Sequence, residues 1–224
     1  MHDAAHLSIA KSQKIVNYAI GWMCSLAFVA PFPAFRYVHL QHHKHTNDPE
    51  LDPDFWSGSG PVMLRPLRWA TQELHYYIPY FSTITKRSRI EAIWVIAVVV
   101  VIYSGVTASL FTGFFSRVFI AWLLPTRAAV LLLAYTFDYV PHRPHKVTGR
   151  DDPYASTSRV DGVLSKGGVS LTVPLLSQNY HNIHHLWPHI PFYLYGRVWH
   201  KHKDSLIAAG TPIVPLYERS MPWW

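Results

Sequence analysis

AIWVIAVVVVIYSGVTASLFTGFFS, Ala92 to Ser116, is a run of 25 residues without a charge. A helix needs roughly 20 apolar residues to cross about 30 Å of hydrocarbon, so this stretch reads as a membrane span. The next apolar run, Val118 to Phe137, is interrupted by Pro125 and Arg127. Alone it is a weaker signal, but directly after the first run it suggests a helical hairpin. A charge at mid-bilayer costs several kcal/mol, so Arg127 is expected near the far end of the second helix, snorkelling or paired, with Pro125 in that helix's first turn. The second helix then runs to about Tyr139. The expected fold class is an all-α integral membrane protein, and residues 1–224 are read as a single domain.

Half of the chain is apolar and only 15% is charged. The net charge of +7 could point to nucleic acid, but the basic residues flank the apolar runs instead. Lys86, Arg87 and Arg89 precede the hairpin, Arg143, Lys146 and Arg150 follow it, and the turn offers only Arg117. No nucleic-acid partner is expected, and by the positive-inside rule both ends of the hairpin face the cytoplasm. The one cysteine, Cys24, excludes an intrachain disulfide framework and iron–sulfur ligation by cysteine alone.

On the cytoplasmic side of the hairpin lie three groups of histidines: His2 and His6, then His39, His42 and His43, then His181, His184 and His185. The spacings H-x-x-x-H and H-x-x-H-H put each group on one helix face, where the rings can share one volume. For the groups to meet, Ile15 to Phe35 must not cross the membrane, although it carries no charge. A spanning helix would hold His6 and His39 about 30 Å apart. The non-spanning reading is preferred to a plain span, with Gly21, Pro31 and Pro33 as break points. The second helix of the hairpin delivers His142 to the same side as a ninth candidate, with Asp138 one turn earlier on its face.

Thr46 to Asp54 is dense in Asn, Asp and Pro and ends a helix. Asp48 or Asp52 could accept an N–H from a ligating imidazole, although for any single acid a solvated loop residue is the plainer reading. Residues 61–90 mix aromatic and basic side chains and suit the headgroup level. Residues 147–168 read as a polar connection, and the chain turns apolar again from Val169. His75, His200 and His202 are read as ordinary surface or hydrogen-bonded histidines.

Imidazole ligates Zn, Cu, Fe and Ni, so residue type does not choose the metal. Eight ligands are too many for one tetrahedral ion and would serve two, four each, with positions left for a small molecule such as O₂. A structural zinc would use a closed set of four, usually with cysteine.

The motifs HDxxH, HxxHH and HxxHH resemble those of the membrane fatty-acid desaturase and hydroxylase superfamily. More narrowly, VHLQHHKHTNDPELDPD (Val38–Asp54), FDYVPHRP (Phe137–Pro144) and QNYHNIHHLWPHIPFY (Gln178–Tyr193) resemble the desaturase-like β-carotene hydroxylases. The resemblance implies a membrane hairpin, interfacial or re-entrant helices, a cytoplasmic histidine-rich cap and a non-haem di-iron centre. It implies iron ligation by His2, His6, His39, His42, His43, His181, His184 and His185, with His142 in addition, and O₂ as co-substrate. His45, His145 and His189 are left out of the set. Asp3, Asp138 and Asn179 are the candidates for orienting the ligands. The helices that precede the first box in that family are absent, so the N-terminus is expected to be truncated.

The implied reaction is hydroxylation of a β-ionone ring carbon of a carotenoid. Alternatives are an acyl-lipid desaturase, a carotenoid ketolase and, from another class, a metal-binding or metal-transport membrane protein. Each turnover needs two electrons, and the chain carries no G-x-G-x-x-G fingerprint. A ferredoxin or similar donor is therefore implied. Lys86, Arg87, Arg89, Arg143, Arg150, Lys166, Arg197 and Lys201 would suit an acidic carrier, though membrane topology explains them equally well.

Overall fold

The computed structural model describes residues 1–11, 13–28, 30–161 and 171–216. Lys166 and the end of the polar connection lie outside the described residues. The chain is mainly helical. Short α1 (His2–Ala5) is followed by α2 (Lys14–Phe28), α3 (Phe32–His45), α4 (Phe55–Gly58), α5 (Arg65–Ala70) and α6 (Gln72–Ser82). Two long helices follow, α7 (Arg89–Phe111) and α8 (Phe115–Tyr139). The last helices are α9 (His181–Leu186) and α10 (Tyr195–Ala208). Strands β1 (Arg159–Asp161) and β2 (Ile213–Pro215) pair in parallel and tie the C-terminal segment to the centre.

Helices α7 and α8 are both long and apolar enough to cross a membrane. Ser88 caps α7, its hydroxyl accepting from the Glu91 N–H, and Gly113 at φ +77° opens the turn between the two helices. α8 ends at Tyr139, as the sequence suggests, but it begins at Phe115 and Pro125 is not in its first turn. Pro125 has no N–H to donate, and the helix widens into a π turn at Phe119–Leu123 just before it. Arg127 is correspondingly misplaced by the sequence reading: it lies roughly 18 Å from either end of α8 at 1.5 Å per residue. It is paired there, with the buried Glu73 carboxylate of α6 and with the Ala70 carbonyl, 3.0 Å away.

Helices α2 and α3 meet at 99°, so the apolar segment before the second histidine group is not one straight span. The bend falls between Phe28 and Phe32, with Pro31 and Pro33 starting α3. Gly21 is not a break point. It lies within α2, where a Cβ would come 2.5 Å from the Phe32 ring, so glycine permits the two helices to close. Ala4 and Ala5 of α1 pack into that elbow against Phe32 and Trp22. At the other end, Tyr195, Trp199 and Leu206 of α10 form a core with Tyr180 and Ile183 that holds α9. Burying a side chain of that size stabilises by about 1.5–3 kcal/mol.

Candidate metal centre

α1, α3, the turn that follows α8, and α9 bring nine imidazoles into one largely buried volume. Four of them, His2, His6, His39 and His184, each offer a ligand atom, all within 4.8 Å of one another. His42, His142, His181 and His185 form a second such quartet. His43 stands between them: its Nε2 is 2.7 Å from that of His184, and its ring stacks on His185 at 4.3 Å. Nε2 to Nε2 distances elsewhere in the site run from 2.8 Å for His6–His39 to 3.2 Å for His42–His185. With metal–nitrogen bonds of about 2.1 Å, nitrogens in adjacent coordination positions stand about 3 Å apart. The spacing therefore suits ions held by the Nε2 atoms.

The tautomers point the same way. His181 Nδ1 donates to Gln178 Oε1 at 3.2 Å. His185 Nδ1 donates to Thr46 Oγ1 at 3.3 Å, because the threonine's own proton is engaged by the His42 carbonyl. Both neutral rings must then turn bare Nε2 lone pairs inward, and these face each other at 3.0 Å. A cation relieves that opposition. A donor set of neutral imidazoles fits two adjoining first-row transition-metal ions.

Burial sets the charge state. It pulls His39, His43, His142, His181, His184 and His185 well below the ordinary histidine value, with neighbouring imidazoles adding to the fall. His6 is drawn down to about 3 for the same reasons. His42 is the exception. Burial pulls it down too, but the Asp52 and Asp54 carboxylates outweigh that and raise it to about 9. A cation entering the second quartet therefore takes the place of a proton on His42. For the depressed histidines, the unfolded chain takes up protons below about pH 6.5 while the folded one stays neutral, so folding stability is present above that pH and is lost as pH falls below it, down to about 3 for His6. Each such imidazole lowers stability by about 1.4 kcal/mol per pH unit over this window. Thermal unfolding of the apoprotein at pH 7, 6 and 5 checks this, with a steep fall in Tm as the expected result.

Of the three candidates for orienting the ligands, Asp3 accepts from His2 Nδ1 at 3.1 Å and from the Phe192 N–H at 3.2 Å. Asn179 makes no hydrogen bond to a box imidazole among the described residues. Its amide N–H reaches Thr172 at 3.3 Å, and the neighbouring Gln178 holds His181 instead. Asp138 makes no hydrogen bond to a histidine among the described residues; it lines a cavity beside the site. His42 Nδ1 donates to Asp52 at 2.8 Å, with Asp54 at 3.5 Å. His184 Nδ1 meets the Tyr195 hydroxyl at 2.9 Å. Gln178 could have been found from its i, i+3 relation to His181. Asp54 and Tyr195 gave no comparable signal. Asp48 turns away to cap the Glu50 and Leu51 N–H groups.

His45 and His189 stay out of both quartets. His145 is buried against Phe55 and Tyr139 and stacks 6.2 Å from His142 without joining them. His75 stacks on Trp56 at 4.5 Å. Two of the basic residues are not free for a carrier: Arg143 is buried and donates to the Pro215 carbonyl, and Arg87 lies 3.5 Å over the Tyr37 ring. Arg89, Arg150, Arg197 and Lys201 are exposed.

The cavity is about 220 Å³ and touches both quartets through His2, His39, His42 and His181. Its other walls are mostly apolar, among them Phe28, Phe35, Val130, Leu133 and Phe137.

The fatty acid desaturase family profile matches residues 1–217. A β-carotene ketolase from Paracoccus sp. (strain PC1) is 27% identical over 86% of this chain and 69% of its own length. A zeaxanthin 4-ketolase from Chlamydomonas reinhardtii is 26% identical over 96% of this chain and 42% of its own length. An sn-1 oleoyl-lipid 12-desaturase from Synechocystis sp. is 30% identical over 99% of this chain and 67% of its own length. No solved structure matches.

Proposed function

The chain belongs to the fatty acid desaturase family, and on that premise we propose that it is an O₂-dependent, two-iron enzyme that hydroxylates a β-ionone ring carbon of a carotenoid. The observation that carries this reading is the pair of imidazole quartets sharing one apolar cavity. His2, His6, His39 and His184, with His43 alongside, hold one ion; His42, His142, His181 and His185 hold the other. Iron bound there supplies the activation of O₂ and the oxidation of an unactivated C–H bond.

The residues of the chain do the rest. Asp3, Asp52, Gln178 and Thr46 keep the protons of four ligand rings on Nδ1 and so aim their Nε2 lone pairs inward. Phe28, Phe35 and Phe137 keep water from the reacting carbon. Pockets that enclose a whole ligand usually run to about 300–1,000 Å³. A cavity of about 220 Å³ is below that and suits one end of a long apolar molecule. The overall reaction takes a C–H bond, O₂, two electrons and two protons to an alcohol and water. The electrons come from a ferredoxin or similar acidic carrier, for which the exposed Arg89, Arg150, Arg197 and Lys201 offer a basic face. With Arg89 opening the hairpin and Arg150 following it, the histidine cap lies on the cytoplasmic side.

A ketolase reading is favoured by the two carotenoid ketolases among the relatives, and an acyl-lipid desaturase reading by the third. Incubating the iron-loaded protein with a reductase system, β-carotene and an oleoyl lipid separates them by product mass. An added ring hydroxyl is the expected product. A ketone favours the ketolase and a new acyl double bond the desaturase; either one without any hydroxylated carotenoid sinks the first reading.

A further inference from the structure

One wall of the cavity is out of keeping with the rest. Gln72 at the start of α6 and Asp138 near the end of α8 stand there with Asp54, Glu73 and Tyr76, facing apolar residues on the other sides. The Gln72 amide nitrogen leans on Asp54 at 3.4 Å and on the Tyr76 hydroxyl at 3.5 Å. Its carbonyl oxygen is then left buried with no partner among the described residues, on a side chain only 3% exposed. Asp138 is half-buried on the same cavity and bonds to no histidine. Glu73, the adjacent carboxylate, is taken by Arg127. Buried polar groups in folded proteins almost always have partners, so the unpaired Gln72 Oε1 asks for a donor.

We propose that Gln72 and Asp138 form a hydroxyl-recognising wall, so that the preferred substrate enters with a hydroxyl group already on its ring. The chemistry is selective. Gln72 Oε1 can only accept, and the Asp138 carboxyl offers an alcohol a second acceptor oxygen. A hydrocarbon ring, a ring ketone and an acyl ester have no proton to give, whereas an alcohol has one. A hydroxyl held between α6 and α8 also fixes the ring beside His39 and His42, which line the same cavity. The carotenoid identity of the substrate rests on the function proposed above; the preference for a hydroxyl rests on the wall itself.

The test is equilibrium binding to the detergent-solubilised, iron-loaded protein, read by quenching of tryptophan fluorescence by the polyene. β-Carotene, its 3,3′-diol and its 4,4′-diketone are compared. The diol is expected to bind about tenfold more tightly than the hydrocarbon, the effect of one or two good hydrogen bonds, and more tightly than the diketone, which has no proton to give Gln72 Oε1. In Gln72→Leu and Asp138→Leu the preference shrinks to about threefold or less. Equal affinity for diol and hydrocarbon in the wild-type protein overturns the proposal without recourse to any variant. So does an undiminished preference in both folded variants. Methyl oleate and its 12-hydroxy counterpart are run in parallel as competitors. If no carotenoid binds while these esters do, the carotenoid reading fails, and the ratio between the two esters decides the hydroxyl wall independently.

Discussion

Alanine at position 184 is expected to abolish turnover and to lower bound iron from about two ions per chain to one or fewer. His184 is fully buried, and its Nε2 lies 2.9 Å from that of His2 and 2.7 Å from that of His43, with Tyr195 holding the far side of the ring. Removing it opens one quartet and unseats the histidine that stands between the two. Metal-ion catalysis contributes several kcal/mol to the barrier, so the activity loss should be about a thousandfold or greater. Iron analysis beside turnover checks it, with the exposed His202→Ala as a control that should keep both ions. Two irons retained in folded His184→Ala would refute the assignment of that residue as a ligand.

A second large effect is expected at a residue outside both quartets. Asp52 Oδ1 accepts from His42 Nδ1 at 2.8 Å and from the Asp54 N–H at 2.8 Å, while Oδ2 accepts from the Asn47 N–H at 2.7 Å. Asp52→Ala strands all three donors in a buried site, at about 1–3 kcal/mol for each group left unpaired. It also frees the His42 ring to turn or to change tautomer, which should weaken metal binding about 10–100-fold. The pH signature is specific. With its pKa raised to about 9, His42 in the apoprotein contributes stability that is full below about pH 6.5 and fades as pH rises through 9. The variant should lose most of that alkaline fade. Metal titrations together with unfolding at pH 7 and 10 test both statements, and an unchanged metal affinity would remove Asp52 from the site.

Much of the site was legible because helical spacing is local. His181, His184 and His185 must share a face once the backbone is helical, and Gly and Pro positions bound the helices around them. The orienting partners were less legible because they lie across the fold. Tyr195 reaches His184 only after Trp199 and Leu206 dock α10 against α9. The sequence reading names Asn179, whereas Gln178 is the residue with the i, i+3 relation to His181 and the one that holds it. Asp138 was taken for a ligand's partner because ideal helical periodicity puts it one turn from His142, but α8 ends in a π turn over Ala134–Tyr139, which changes that register.

Composition and periodicity thus determined the membrane hairpin, the three histidine groups and the need for them to converge, since uncharged runs and i, i+3, i+4 spacings are properties of the chain itself. Tertiary structure decided the rest: the 99° turn between α2 and α3, the pairing of Arg127 with Glu73 in the body of α8, the division of the imidazoles into two quartets with His43 between them, and the choice of Asp52, Gln178 and Tyr195 as their partners. These depend on which side chains meet across α1, α3, α8 and α9, and burial there, through the cost of leaving a charge or a lone pair unpaired, sets which ring carries a proton and where.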